Sequence, residues 1–409
     1  MTASTFGWLD HDDGERRRMM EVINLFREKG TLDELGIGTI RDTFAEHFFP
    51  GTSTIQSRAR YFLFIPWLYR QIESERVPSN RAGRRARELQ WRLVQSLQAG
   101  GEGSSAGLIG IEAGENLQRL PSMIYWQGLR RWGIRLFEGS IDRYHASLDG
   151  YYREERAART SEAGELLDMA HRNWHGSLPP CPANLLDQTT FALSTEEAEF
   201  LSERIRRSCG LSLLAACLTP GVKNIRRAGA PWDLKGLDSL QSDLQQDIAD
   251  ARRYSLVMEG AVLLYNHMLA ELAAERGISS DPSRIERYSK ALDRWADEIV
   301  GEQAELQAWD RPAFWHRVRF LNPRVAPGAI RFSDDWIARG IAAPASIRDD
   351  PLVRLLIRER ERRLKGSLAR LHNPRALEKW SGGSGVGRLT YRWGSAQRIL
   401  LDILNGDHQ

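Results

Sequence analysis

The side chains best placed to do chemistry are arginines. Of 57 basic residues only six are lysine. A guanidinium offers a flat fork of donors suited to phosphates and to base edges. Arg58 and Arg60 stand at the head of the apolar run Tyr61–Tyr69. Arg84 and Arg85 fall in a helical stretch that also carries Arg81, Arg87 and Arg92. Arg119, Arg130, Arg131 and Arg135 flank the segment from Leu120 to Ile134. There Pro121 and Ser122 mark a helix start. A short helix over Glu115–Leu120, a turn, and this second helix have the layout of a helix-turn-helix, winged variants included. The second helix of that motif enters a major groove and reaches base edges with residues near its start. Ser122, Tyr125, Gln127, Arg130 and Arg131 are the outward candidates, and Ile124, Leu129 and Trp132 the inward ones. The chemistry is salt-dependent phosphate contact with some base contact. Two packed helices with a solvated arginine pair would leave the same pattern, and a GC-rich genome also enriches arginine.

A second constellation is Asp168, His171 and His175, three and four residues apart and so on one face of a helix. Such a trio could hold zinc and serve a metal-dependent enzyme. No Cys-x-x-Cys accompanies it and no Glu follows the first His, so a solvated polar helix explains it equally. Gly382–Thr390, GGSGVGRLT, has the glycine interval of a phosphate-binding loop. Arg388 stands where that loop needs Lys, and Leu389 where it needs Ser or Thr, so the stretch reads as a hinge. No G-x-S-x-G elbow occurs. Paired acids such as Asp334-Asp335 and Asp349-Asp350 suit helix starts. No cofactor is called for.

These residues need elements to position them, and the elements read as helices. Phe48–Glu75 organises the chain: Pro50-Gly51, then Thr52, Ser53 and Thr54 as caps, then a run from Ile55 that is apolar almost all round. A helix of that kind is buried in the middle of a domain, with a kink expected at Pro66. Further helices are expected over 81–97, from Ser194 with its capping box to Ser208, over 236–276, over 282–301, around 309–318, from Ser333 to Ile341, over 352–371 and up to Leu404. Residues 100–107, GGEGSSAG, read as a loop. The break at Leu178-Pro179-Pro180-Cys181-Pro182 divides an N-terminal lobe, 1–178, with the helix-turn-helix-like segment at 104–136, from a helical C-terminal lobe, 183–409. Strands at regular spacing and repeats of fixed period are not seen. The fold class is mainly α and multi-helical.

Composition sets the outer bounds. Apolar content of 42%, charged content of 27% and a formal charge of +3 are ordinary for a globular protein. Cys181, Cys209 and Cys217 are too few for a disulfide framework. No leader and no apolar run of membrane-spanning length is read, so the expectation is a reducing cytoplasm and no membrane. Thirteen tryptophans are read chiefly as core.

Several strings together, TFGWLD, ELGIGTIRD, FPGTSTIQSRARYFLFIPWLY, LPSMIYWQGLRRWGIR and TYRWG, span most of the chain. In these it resembles an uncharacterised family of bacterial proteins of about this length, found among mobile-element and phage-defence genes. The resemblance implies a setting near nucleic-acid machinery and carries no catalytic residue. The leading expectation is therefore a non-enzymatic DNA-binding component of a bacterial defence or restriction-type assembly. The alternatives are an adaptor that docks a partner helicase or nuclease, and the metal-dependent enzyme.

Overall fold

Nine consecutive side chains, Tyr61 to Tyr69, are buried, and a rod with no polar face must be enclosed by other elements. The computed structural model describes residues 33–104, 107–110, 120–159, 172–278, 281 and 283–406. The helix expected over 115–120 lies, but for Leu120, outside them. In chain order the helices are α1 (Gly38–Phe48), α2 (Tyr61–Ser74), α3 (Ser79–Ala99), α4 (Pro121–Arg131), α5 (Ile141–Arg159), α6 (Thr195–Cys209) and α7 (Leu213–Ala216). They continue as α8 (Ser242–Glu275), α9 (Ser283–Gly301), α10 (Gln303–Gln307), α11 (Arg311–Leu321), α12 (Pro327–Ala342), α13 (Pro351–Lys365), α14 (Pro374–Leu377) and α15 (Trp393–Gly406). Among the described residues there is no β-strand, only isolated bridges at Arg135–Trp174 and Lys223–Lys235. The chain is mainly α, as its periodicities predict. No helix among the described residues is long and apolar enough to cross a membrane.

The chain divides into two compact units. The first comprises Met1–Arg41 and Arg253–Leu389, the second Asp42–Arg252 and Thr390–Gln409. The division falls within α1 and α8, and the proline-rich segment 178–182 lies inside the second unit.

In the second unit α2 is the central rod. Phe62 stacks on Trp132 with ring centroids 3.8 Å apart. Tyr69 meets Tyr144 at 5.3 Å, Trp126 at 5.4 Å and Trp174 at 5.8 Å. The helix continues through Pro66 but starts later than the caps at 52–54 suggest. The intervening residues fold into a tight turn instead. Gln56 accepts a hydrogen bond from the Ser53 N–H (3.1 Å) and donates to the Gly51 carbonyl (3.2 Å). Gly51 has φ +79°, and a Cβ there would lie 2.7 Å from the Trp132 indole nitrogen, so glycine is required twice over. The capping box at α6 forms as read: Ser194 Oγ accepts from the Glu197 N–H and Glu197 accepts from the Ser194 N–H.

In the first unit α8 is flanked by two tryptophans that donate to its own carbonyls, Trp295 to Leu256 and Trp336 to Val257, each at 2.8 Å. Gly260 permits this approach, since a Cβ there would be 2.4 Å from the Trp295 ring. The helix expected from Ser333 starts earlier, at Pro327. Ser333 is fully buried within it, 3.0 Å from the Tyr254 hydroxyl, so it cannot be a cap. The 382–387 loop is held in place. Ser384 N–H donates to the Asn266 side chain at 2.8 Å, and the Gly382 carbonyl accepts from Tyr288 at 2.7 Å. Arg388 pairs with Glu259 and Glu298.

Within this unit Glu271 receives His267 at 3.1 Å and Arg354 at 2.5 Å. The His267 hydrogen bond first, then Arg354, holds its carboxyl down at about 2. A carboxylate with a lowered folded-state pKa adds stability above its unfolded pKa and loses it as pH falls through the folded value. Urea midpoints measured from pH 5 down to about 2 should therefore fall more steeply for the wild type than for Glu271→Gln. Parallel curves would remove Glu271 from the acid response.

Candidate nucleic-acid interface

The arginines expected to form a basic surface fall into two groups. In the first group the guanidinium is occupied inside the second unit. Arg58 donates through Nε and Nη2 to Asp402 at 3.0 and 2.9 Å and lies 4.5 Å over the Phe191 ring. Arg60 donates to both oxygens of Glu197 at 2.9 and 2.8 Å and to the Thr190 carbonyl at 2.8 Å. Arg135 is 1% exposed. The carbonyls of Trp126, Phe137 and Gly139 accept from its guanidinium, which stacks 4.5 Å from the Trp126 ring. Burial lowers its pKa to about 10, so it remains a cation at neutral pH.

Helix α4 appears where the sequence predicts, with Pro121 in its first turn. Its buried stripe is Ser122, Tyr125, Trp126 and Leu129, an i, i+3, i+4, i+7 pattern. The structure thus turns Ser122 and Tyr125 inward. The Tyr125 hydroxyl accepts from the Ser57 and Arg58 N–H groups at 2.9 and 3.1 Å and donates to the Arg58 carbonyl at 3.0 Å. The Ser122 N–H donates to Gln90 at 2.8 Å. Gln127, Arg130 and Arg131 reach solvent. Arg130 pairs with Glu138, and Arg131 lies 3.7 Å from Glu46. Arg119 and the helix expected to precede α4 lie outside the described residues, so the helix-turn-helix layout is not described.

The second group lies on α3. Its apolar stripe, Ala82, Ala86, Leu89, Leu93 and Leu97, is buried, which turns the opposite face to solvent. That face carries Arg81, Arg84 and Arg92, all exposed, with Arg85 half-buried beside them; Arg87 is exposed as well. In 21 residues the helix has one acidic side chain, Glu88. Arg85 donates to Glu75 twice at 2.8 Å and to Glu88 at 3.3 Å. These bonds hold the Glu75 carboxyl below the usual carboxylate range. Among the described residues Arg81, Arg84 and Arg92 have no ion pair. Such a face does little for the helix itself. Like charges three and four residues apart repel, and cations near an N-terminus oppose the helix dipole. An arriving anion relieves both. Of these residues Arg84 and Arg85 are among the sequence candidates. Arg81 and Arg92 were legible too, because they recur opposite the apolar stripe.

The metal trio is described only at His175, since Asp168 and His171 lie outside the described residues. Its Nε2 is 2.8 Å from Arg204 Nη1, and its Nδ1 accepts from the Ser177 N–H at 3.2 Å. Burial and then the Arg204 charge lower its pKa. Among the described residues no three His, Cys, Asp or Glu side chains are placed to hold a metal. All three cysteines are free thiols, Cys181 exposed and Cys209 and Cys217 buried.

Comparison with known proteins returns one family model, described as "Family of unknown function (DUF6361)", which matches residues 3–406. No curated protein and no solved structure matches the chain.

Proposed function

We propose that this chain, which belongs to the family of unknown function DUF6361, binds the phosphate backbone of DNA through the exposed arginine face of α3. The observation that carries this reading is a solvent-facing row of Arg81, Arg84 and Arg92 with no ion pair among the described residues. Forked donors on a helix surface suit phosphate oxygens. Contacts to phosphates fix position without reading sequence, so the binding is weakly selective. Gln127, Arg130 and Arg131 on α4 are the remaining candidates for outward contact, and no catalytic step is assigned. A bacterial defence or restriction-type assembly is the setting this reading fits, and co-purification with a helicase or nuclease from the native host tests it.

The direct test is fluorescence anisotropy with a labelled duplex at about 0.1 M salt. The triple variant Arg81→Ala, Arg84→Ala, Arg92→Ala is expected to bind at least about tenfold more weakly. Arg130→Ala with Arg131→Ala changes affinity less, because those side chains are already paired. Equal affinities for wild type and triple variant, or preference for RNA, would refute the assignment to duplex DNA at this face.

A second reading, docking of a partner protein, is favoured by one feature of the first unit. Leu352, Leu355 and Leu364 of α13 are 58%, 47% and 44% exposed, and Leu368 just beyond is 70% exposed. Leu352→Lys with Leu355→Lys should release a co-purifying partner if that surface holds one.

A further inference from the structure

At the C-terminal end of α2, within the second unit, lies an open polar cleft of about 570 Å³. Its lining includes Arg70 and Glu73 of α2, Arg76 from the turn that follows, Tyr151 of α5, and Arg172 and Trp174. The size is within the range of small-molecule sites, and the mostly polar, charged lining suits a charged ligand rather than an apolar one.

Glu73 is the fixed point. Its Oε1 accepts from the Tyr144 hydroxyl at 2.5 Å, from Asn173 Nδ2 at 2.9 Å and from Trp174 Nε1 at 3.1 Å. Those three donors hold the carboxyl in one orientation. Among the described residues Oε2 has no hydrogen bond. Burial raises the Glu73 pKa, with the three hydrogen bonds acting the other way. Satisfying three donors explains one oxygen only. A glutamine could do the same with its carbonyl, but would then present an amide N–H₂ to the cleft. Carboxylate keeps an acceptor there.

The cationic side is equally specific. Arg70 sits one turn before Glu73 on the same helix, exposed and without an ion pair among the described residues. Arg76 pairs with Glu155 at 2.8 Å and lies 5.8 Å over the Tyr152 ring. Guanidinium groups recognise phosphate by paired hydrogen bonds. The partly exposed Tyr151 adds aromatic surface to the same cleft, while Trp174 is buried and serves to hold Glu73.

We infer that this cleft binds a nucleoside monophosphate, with the phosphate on Arg70 and its arginine neighbours and a sugar hydroxyl or base amine donating to Glu73 Oε2. The inference goes beyond the α3 reading and does not depend on it. Titration calorimetry of the full chain tests it with adenosine 5′-monophosphate, adenosine and inorganic phosphate as separate probes. The monophosphate should bind one per chain, at least about tenfold tighter than either fragment. Arg70→Ala and Glu73→Gln should each weaken it about tenfold or more, while the α3 triple variant leaves it unchanged. Glu73→Gln keeps a carbonyl for the three donors, and Arg70→Ala, at an exposed residue, keeps the test decisive if the buried change disturbs the fold. No saturable binding at millimolar monophosphate, binding no tighter than phosphate alone, or unchanged binding in Arg70→Ala overturns the inference.

Discussion

Arg60→Ala is expected to cost the second unit about 3–5 kcal/mol of stability, the scale for breaking a buried ion pair from one side. Arg60 is 9% exposed and Glu197 is 5% exposed. Removing the guanidinium leaves the Glu197 carboxylate buried without its partner. The loss is aggravated because Glu197 also closes the capping box of α6. Arg60 further satisfies the Thr190 carbonyl, so one substitution orphans acceptors on two segments. Urea unfolding should show a lower midpoint. The double variant Arg60→Met, Glu197→Gln removes both charges and keeps a capping oxygen, so it should recover part of the loss. A single variant within about 1 kcal/mol of wild type would mean that water reaches the site and replaces the lost donors.

Glu361→Ala should destabilise the first unit by about 3 kcal/mol or more, since each buried donor left unsatisfied costs about 1–3 kcal/mol. Glu361 is 0% exposed. It accepts from the Tyr265 hydroxyl at 2.6 Å and from the Arg370 and Leu371 N–H groups at 2.8 and 3.0 Å. Arg370 in turn reaches Glu34 at 2.6 Å and Ser384 at 2.9 Å. Loss of Glu361 therefore frees the turn after α13 from the helix. Hydrogen exchange should show lost protection at the Arg370 and Leu371 amides, with Glu361→Gln intermediate because one acceptor oxygen remains. Protection unchanged in Glu361→Ala would show that those amides are held by something else.

What the sequence could disclose follows from the range of each interaction. The buried rod α2 was legible because its apolarity is continuous, and the α6 start because a capping box spans three residues. Depth on α4 was not legible. Ser122 and Tyr125 are polar by type, yet they occupy the same stripe as Trp126 and Leu129. The partners of Tyr125 lie near residue 57, and the partner of Arg60 is Glu197. Nothing local marks such pairings. The charged run 354–370 reads as a solvated face of internal ion pairs, and Glu359–Arg362 is one. Arg354 instead reaches Glu271, and Arg360 donates to the carbonyls of Leu35, Gly36 and Gly328. The α3 face was available from periodicity alone, because burial of its small and branched residues forces the arginines outward.

The most direct measurement for the proposed role is the dependence of duplex DNA affinity on salt. Each phosphate neutralised releases counterions and adds about −0.9 to the slope of log K against log salt. The wild-type protein should give a steep slope, and the variant lacking Arg81, Arg84 and Arg92 should be shallower by about 2–3. Identical slopes for the two proteins, or no measurable binding by the wild type at low salt, would contradict the account.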